Sequence, residues 1–212
     1  MDFFEFKRKV QSRPVILSRD IVRGLDKPQA LRNQLSRWQK KGLLVSLRKG
    51  VYVLNPHDRK IEVDQMMIAN ILYQPSYISM EYALNFYGLI PEAVSDITSV
   101  STRKTAVFNN ELGTFRYQHI GPKVFRGFKK AGEGQNAFFM AEAEKAVVDF
   151  LYLNLSQFQN NTRETLEQSY RFQNIATLDP KRLVGLAVLF NNEKLNRIVK
   201  ELAAWVKEKK HD

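Results

Sequence analysis

Polar and basic side chains recur between residues 29 and 40 at a spacing that could do chemistry on a nucleic acid. At about 100° per residue they share one side of a helix, opposite Leu31, Leu35 and Trp38. Arginine pairs with guanine bidentately, and asparagine or glutamine pairs with adenine. The candidates for contact with base edges and phosphates are Gln29, Arg32, Asn33, Ser36, Arg37 and Lys40. The alternative is an ordinary amphipathic helix with a solvated outer face.

The absence of acids in this stretch favours the nucleic-acid interpretation. No Asp or Glu occurs from Lys27 to Arg48, whereas solvated faces usually mix both signs of charge. Pro28 suits the first position of a helix, after Asp26 or Lys27 as cap, and Gly42 suits its end. The sequence therefore predicts one long helix between Pro28 and Gly42.

Shorter elements flank this helix on both sides. A short helix is predicted from Ser18 as N-cap, with Gly24 permitting the turn that follows. After the long helix, the apolar runs 44–47 and 51–54 predict a hairpin, joined by the turn Arg48-Lys49-Gly50. A basic hairpin tip can reach a phosphate or enter the minor groove, although a purely structural hairpin would have the same pattern.

The order short helix, long helix and basic hairpin is typical of a winged helix-turn-helix, which lays its second helix in the DNA major groove. We therefore predict a DNA-binding domain over residues 1–58. Arg48 and Lys49 are predicted phosphate contacts on the wing, and Ser18 and Arg19 are predicted backbone contacts.

The charge of the chain is concentrated in the same segment. Residues 1–60 contain 15 Lys and Arg against 5 Asp and Glu, a net charge of +10. Residues 61–212 contain 18 against 17, a net of +1. Phosphate neutralisation by a DNA-binding surface requires such an asymmetry.

Composition excludes several other classes. The 212 residues include no cysteine, so disulfides and thiolate metal sites are excluded. No apolar run approaches the ~18 residues of a membrane span, and the first residues do not resemble a signal peptide. Nucleotide-binding glycine motifs are absent. We expect a cytoplasmic protein with no membrane partner, no cofactor, no metal and no catalytic residue.

Residues 59–212 are predicted to form a second, α+β domain. Alternating residues predict strands at 97–101, 106–108 and 114–120, with a further candidate at 124–128 and a loop at 130–135. Apolar periodicity predicts helices at 63–72, 80–87, 141–155, 163–172, 180–190 and from 191 or 192 to the end. The expected fold class is α+β: an N-terminal winged helix-turn-helix, then a mixed α/β domain with a small, mainly antiparallel sheet and a helical C-terminal part.

Two groups of side chains in this second domain allow more than one interpretation. The carboxylates Glu142, Glu144 and Asp149 could bind a metal in a nucleic-acid enzyme, but the i,i+4 spacing of Lys145 and Asp149 favours a surface ion pair. The aromatic group Tyr77, Tyr82, Phe86 and Tyr87 could stack on bases, but core packing is favoured. A third hypothesis is an interaction module that holds a partner through its C-terminal helices.

Several longer segments resemble one protein family. They are LSRWQKKGLLVSLRKGVYVL (35–54), PSYISMEYALNFYGLIPE (75–92), FRYQHI (115–120), VFRGF (124–128) and MAEAEKAVVDFLYL (140–153). Together they resemble the AbiEi family of type IV toxin–antitoxin antitoxins, which occur in bacterial abortive-infection loci for phage defence. The segment AEAEKAVVDFLY is the most specific of these matches.

The resemblance implies two tasks. The N-terminal domain would bind double-stranded DNA at inverted repeats in its own promoter and repress the operon. The C-terminal domain would act as antitoxin against a nucleotidyltransferase-like toxin, with or without direct contact between the two proteins.

Overall fold

The computed structural model describes residues 2–23, 28–159 and 161–211, and it is an α+β structure with two sheets in these residues. Its N-terminal part contains three helices and three short strands. They are α1 (Phe3–Val10), β1 (Ile16–Leu17), α2 (Ser18–Val22), α3 (Pro28–Lys40), β2 (Leu44–Arg48) and β3 (Val51–Leu54). The predicted roles of Gly24, Asp26 and Lys27 lie outside the described residues.

The long helix predicted from the sequence is confirmed as α3. It begins at Pro28, and Gly42 follows its end with a φ of +70°. The Gly42 N–H donates to the Gln39 carbonyl at 2.9 Å, and the Leu43 N–H donates to the Trp38 carbonyl at 3.0 Å. These two bonds form a Schellman motif, which satisfies helix carbonyls that would otherwise lack partners.

The start of α2 differs from its prediction. Ser18 is the first helical residue rather than the N-cap, which is Leu17. The Ser18 N–H donates to the Gly50 carbonyl at 2.9 Å. This bond joins the start of α2 to the hairpin turn, so tertiary pairing rather than a local cap fixes this helix end.

Antiparallel pairing confirms the predicted hairpin, with one difference in its turn. The three-stranded sheet has the order β1-β3-β2. Arg48 belongs to β2 and pairs with Val51, so the turn contains Lys49 and Gly50 alone. The register shifts between Ser46 and Arg48, which indicates a bulge next to the tip.

The second sheet is larger and more mixed than predicted. Its order is β6-β7-β5-β4-β9-β8, and the pairs β5–β7 and β4–β9 are parallel. Three of the five strand pairs are antiparallel, so the sheet is mainly antiparallel as predicted, but it has six strands and is not small. The two parallel pairs were not predicted, because parallel neighbours are joined by longer connections that local patterns do not reveal. The strands are β4 (Ser76–Ile78), β5 (Ile97–Ser101), β6 (Ala106–Asn110), β7 (Gly113–His119), β8 (Phe128–Ala131) and β9 (Phe138–Ala141).

Three local predictions in this part also need correction. Residues 122–124 form a 3₁₀ turn, and the expected strand at 124–128 begins only at Phe128 and runs into the expected loop. Strands β4 and β9 were not predicted. The expected helix at 163–172 is a short helical turn (Thr162–Glu164) followed by a π-type turn (Thr165–Ser169).

The remaining helices lie before, between and after the strands of the second sheet. They are α4 (Gln65–Leu72), α5 (Met80–Phe86), α6 (Ala143–Leu153), α7 (Thr162–Glu164), α8 (Pro180–Val188) and α9 (Glu193–His211). Asp179 caps α8 with Pro180 at its first position, as predicted. Within the described part of the chain, no helix is both long and apolar enough to cross a membrane.

Two hydrophobic cores meet at the hairpin. The smaller, N-terminal core contains Phe6, Val10, Ile16, Leu31, Leu35, Trp38, Leu44 and Leu54. The main core lies around the six-stranded sheet and also takes in Leu47, Val51 and Val53 of the hairpin. Strand β3 is therefore buried on both faces, and the hairpin joins the two cores.

The N-terminal core predicts a test of stability. Leu35 is fully buried against this core, so Leu35→Ala should lower the free energy of unfolding by about 2–5 kcal/mol through lost burial and the remaining cavity. Gln39→Ala, an exposed site on the same helix, is the matched control and should change stability by less than ~0.5 kcal/mol. Urea denaturation measures both; equal losses would contradict the assignment of the α3 faces.

Candidate nucleic-acid interface

The outer face of α3 is accessible along its length. Leu31, Leu35 and Trp38 are buried, and all six side chains predicted to contact DNA from this helix are exposed: Gln29, Arg32, Asn33, Ser36, Arg37 and Lys40. The Gln29 amide donates to the Asn33 side chain at 3.0 Å. The face therefore presents amide, hydroxyl and cationic groups to a partner.

The remaining four predicted residues lie together at the hairpin tip. Ser18, Arg19, Arg48 and Lys49 line one crevice of about 200 Å³. We call this the tip crevice, and its other lining residues are Leu17, Gly50, Val51, Ile71 and Gln74. Because Ile71 and Gln74 come from α4 and the turn after it, residues beyond the predicted N-terminal domain form part of its wall.

Gly50 allows the close approach that forms this crevice. Its φ is +81°, a backbone conformation that residues other than glycine rarely adopt. A Cβ atom built at this position would lie 3.0 Å from the Ser18 Oγ. A side chain at residue 50 would be strained at this φ and would press on the Ser18 hydroxyl, so glycine favours the close packing of the turn against the start of α2.

Arg48 has an unusual environment at the crevice. Burial lowers the pKa of Arg48, the nearby charges of Arg103 and Arg19 lower it further, and Tyr117 opposes these effects. Its Nε atom is buried and has no hydrogen-bond partner among the described residues. The Arg48 guanidinium is thus repelled by two other cations, and its Nε has no acceptor among the described residues.

Arg103 is a candidate residue that the sequence did not indicate. Its guanidinium lies 4.2 Å from the centre of the Tyr73 ring and donates to the Gln74 carbonyl at 3.3 Å. The only local signal is the basic pair Arg103-Lys104 in an otherwise nearly neutral domain. The charge of Arg103 acts on Arg48, and this proximity arises from the packing of the six-stranded sheet against the hairpin.

The carboxylates considered as metal ligands are occupied by partners within the chain. Arg182 pairs with both Glu142 and Glu144, and the Glu144 carboxylate also accepts the Asp179 N–H at 2.9 Å. Asp149 lies elsewhere, in the core. Within the described ranges no group of three or more His, Asp or Glu side chains is arranged to hold a metal ion.

The predicted surface location of the Lys145–Asp149 pair is wrong. Both side chains are buried, with Nζ and Oδ1 at 2.5 Å. Asp149 also accepts hydrogen bonds from Tyr77 at 2.9 Å and Ser79 at 2.8 Å. Burial raises the pKa of Asp149, and these three donors oppose that rise. The i,i+4 spacing was correct, but β4 and α5 cover this side of α6.

The aromatic side chains around α5 and the apolar stripe of α9 contribute to the main core. Tyr77 is fully buried, which confirms core packing, whereas Phe86 is 54% exposed. The stripe of α9 is buried within the chain, as expected for a helix that closes its own domain. That stripe consists of Leu195, Ile198, Val199, Leu202 and Val206.

Comparison of the chain with protein-family models gave no match, and comparison with curated protein sequences gave none either. The features of the chain that bear on its function are therefore the geometry of α3 and of the tip crevice.

The buried ion pair predicts a large loss of stability on substitution. Asp149→Asn removes the counterion of a buried lysine, so the free energy of unfolding should fall by about 3–5 kcal/mol. Glu167→Gln is the matched control, because Glu167 pairs with Arg163 at the same spacing but both side chains are exposed; it should cost less than ~1 kcal/mol. Thermal or urea unfolding distinguishes the two, and equal effects would refute the buried-pair assignment.

Proposed function

We propose that the chain is a DNA-binding transcriptional regulator whose N-terminal elements form a winged helix-turn-helix. The observation that carries this proposal is the outer face of α3. It has six exposed groups suited to bases and phosphates, in a segment without a single acid from Lys27 to Arg48. An α-helix of this kind fits the width of the major groove.

The order of the elements supports the same proposal. Helices α1, α2 and α3 precede the β2–β3 hairpin, and β1 pairs with β3 to complete the small sheet. In helix-turn-helix proteins the second helix of the motif enters the major groove and the first crosses the backbone. Here α3 would be the recognition helix, and the tip of the hairpin would be the wing.

The charge distribution of the chain also supports binding to DNA. The net charge of +10 in residues 1–60 would attract the phosphate backbone and release counterions on binding. Phosphate contacts position a protein on the duplex, and base contacts provide sequence preference. We therefore assign phosphate contacts to the hairpin and to Ser18 and Arg19, and base contacts to α3.

The experiment that tests this function is binding to labelled DNA from upstream of the gene for this chain. A shuffled fragment of equal composition is the control, and both are measured at ~50 and ~200 mM salt, where phosphate-driven binding changes steeply. Preference for the native fragment at the higher salt would support a sequence-specific regulator. Equal, salt-sensitive binding to both would reject sequence specificity, and no binding would reject the function.

The division of roles predicts different effects of single substitutions. Arg32→Ala and Asn33→Ala should change sequence preference, because a lost bidentate base contact costs about 1–3 kcal/mol at one base pair. Lys49→Ala should weaken binding to native and shuffled DNA alike. Fluorescence anisotropy with single-base variants of the native fragment measures both quantities.

Lys200→Ala on α9 is the charge-matched control for Lys49→Ala, since Lys200 is exposed on the last helix. It should leave affinity for both fragments near the value of the unmodified chain. If Arg32, Asn33 and Lys49 substitutions all weaken binding uniformly, the assignment of base contacts to α3 is wrong.

We also propose antitoxin activity for the C-terminal part, on the resemblance of residues 75–92 and 140–153 to the AbiEi family. Co-expression with a nucleotidyltransferase-like protein encoded beside this chain tests the proposal. Restored growth with residues 59–212 intact and α3 substituted would separate antitoxin activity from DNA binding, and absence of any rescue by the full chain would reject it.

A further inference from the structure

Two arginines line the tip crevice, and a third is bonded to its wall; the three come from distant parts of the chain. Arg19 lies in α2, Arg48 ends β2, and Arg103 follows β5. Arg19 and Arg48 line the crevice directly, and Arg103 bonds to the carbonyl of Gln74 in its wall. Two predicted domains therefore contribute cations to one place.

Acidic side chains offset little of the positive charge of these three arginines. Asp20 approaches Arg19 at 3.6 Å, with both side chains more than half exposed. Across the described ranges, neither Arg48 nor Arg103 forms an ion pair with an acid. Arginine stays protonated in proteins, so these charges persist and repel one another.

Hydrogen bonding at the buried Nε of Arg48 also favours an anion in the crevice. A buried donor without an acceptor is costly, and more so when it carries charge. An anion in the crevice would accept from this donor and would also reduce the repulsion among the arginines.

We infer that the tip crevice binds a phosphate group between Arg19, Arg48 and Arg103. A volume of about 200 Å³ is large enough for a single phosphate but small for a drug-sized ligand. The guanidinium group matches phosphate oxygens bidentately. The Ser18 hydroxyl and the Lys49 ammonium, both in the lining, provide further donors.

Two sources could supply this chemistry, a backbone phosphate of DNA or a free phosphate-bearing ligand. Binding of a DNA phosphate rests on the proposed function and extends it, because Arg103 would bring the C-terminal part of the chain onto the same duplex as α3. The second source is independent of DNA binding. Two measurements on the full chain distinguish them.

The first measurement compares Arg103→Gln with Arg197→Gln in DNA binding. Arg197 is exposed on α9, which contributes no residue to the lining of the tip crevice, so it provides the same charge change away from the site. Loss of one phosphate contact should reduce the slope of log K against log salt by about 0.9. The affinity ratio of unmodified chain to Arg103→Gln should therefore shrink about three- to fourfold between ~50 and ~200 mM salt, and Arg197→Gln should show no such change.

Arg103→Lys separates charge from folding, because it retains the cation but not the planar guanidinium that stacks on Tyr73. It should keep the salt slope of the unmodified chain. A slope lowered equally by Arg103→Lys and Arg103→Gln would assign Arg103 a structural role and overturn its part in the site.

The second measurement is calorimetric titration with inorganic phosphate in low-salt chloride buffer. Saturable binding that becomes about tenfold weaker in Arg103→Gln, a factor expected for a lost hydrogen bond to a charged group, would support the site. With unchanged DNA salt slopes, this result identifies a free phosphate-bearing ligand; changed slopes without phosphate binding identify the DNA backbone.

Absence of both effects overturns the inference, even if the unmodified chain binds its upstream DNA specifically. Conversely, phosphate binding at the crevice by a chain that fails to bind DNA would reject the proposed function and leave the phosphate site intact.

Discussion

Burial of the β2–β3 hairpin on both of its faces is the constraint on which the rest of the structure depends. Leu44 and Leu54 pack into the N-terminal core, and Leu47 and Val53 pack into the main core. The Asn110 side chain also donates to the Leu47 carbonyl at 3.2 Å. Because apolar burial stabilises both interfaces, the hairpin connects the small sheet to the large one, and the direction of its tip follows from the large sheet.

Fixing the hairpin in this way determines the electrostatics at its tip. Backbone pairing of Ser18 with Gly50 brings α2 to the turn, and contact with the large sheet brings Arg103 toward Arg48. Repulsion among these cations is unfavourable, and apolar packing on either side of the hairpin offsets it. A surface held in this state before binding is preorganised for an anion, since the cost of gathering the cations is met on folding.

The main core contains a second charged group, and the structure compensates it differently. Asp149 receives hydrogen bonds from Lys145, Tyr77 and Ser79, so three donors from β4, α6 and the residue before α5 offset part of its desolvation. This network attaches α6 to β4, one of the two middle strands of the sheet. Asp149 thus has partners within the chain, whereas the Nε of the partly buried Arg48 at the tip crevice has none among the described residues. This difference distinguishes a structural ion pair from a candidate binding site.

Sequence by itself determined those features that depend on neighbours along the chain. The apolar periodicity and the residues typical of helix ends predicted α3 from Pro28 to the glycine that follows it. The apolar runs predicted the hairpin. Both elements are governed by local geometry. Tertiary structure decided which surfaces are covered. Lys145–Asp149 and Arg163–Glu167 have the same spacing, yet the first pair is buried and the second exposed, since a spacing specifies which side chains share a helix face and not what packs against it. Arg103 could not be predicted from the sequence for the same reason. Its proximity to Arg48 arises only when the sheet and the hairpin share a core.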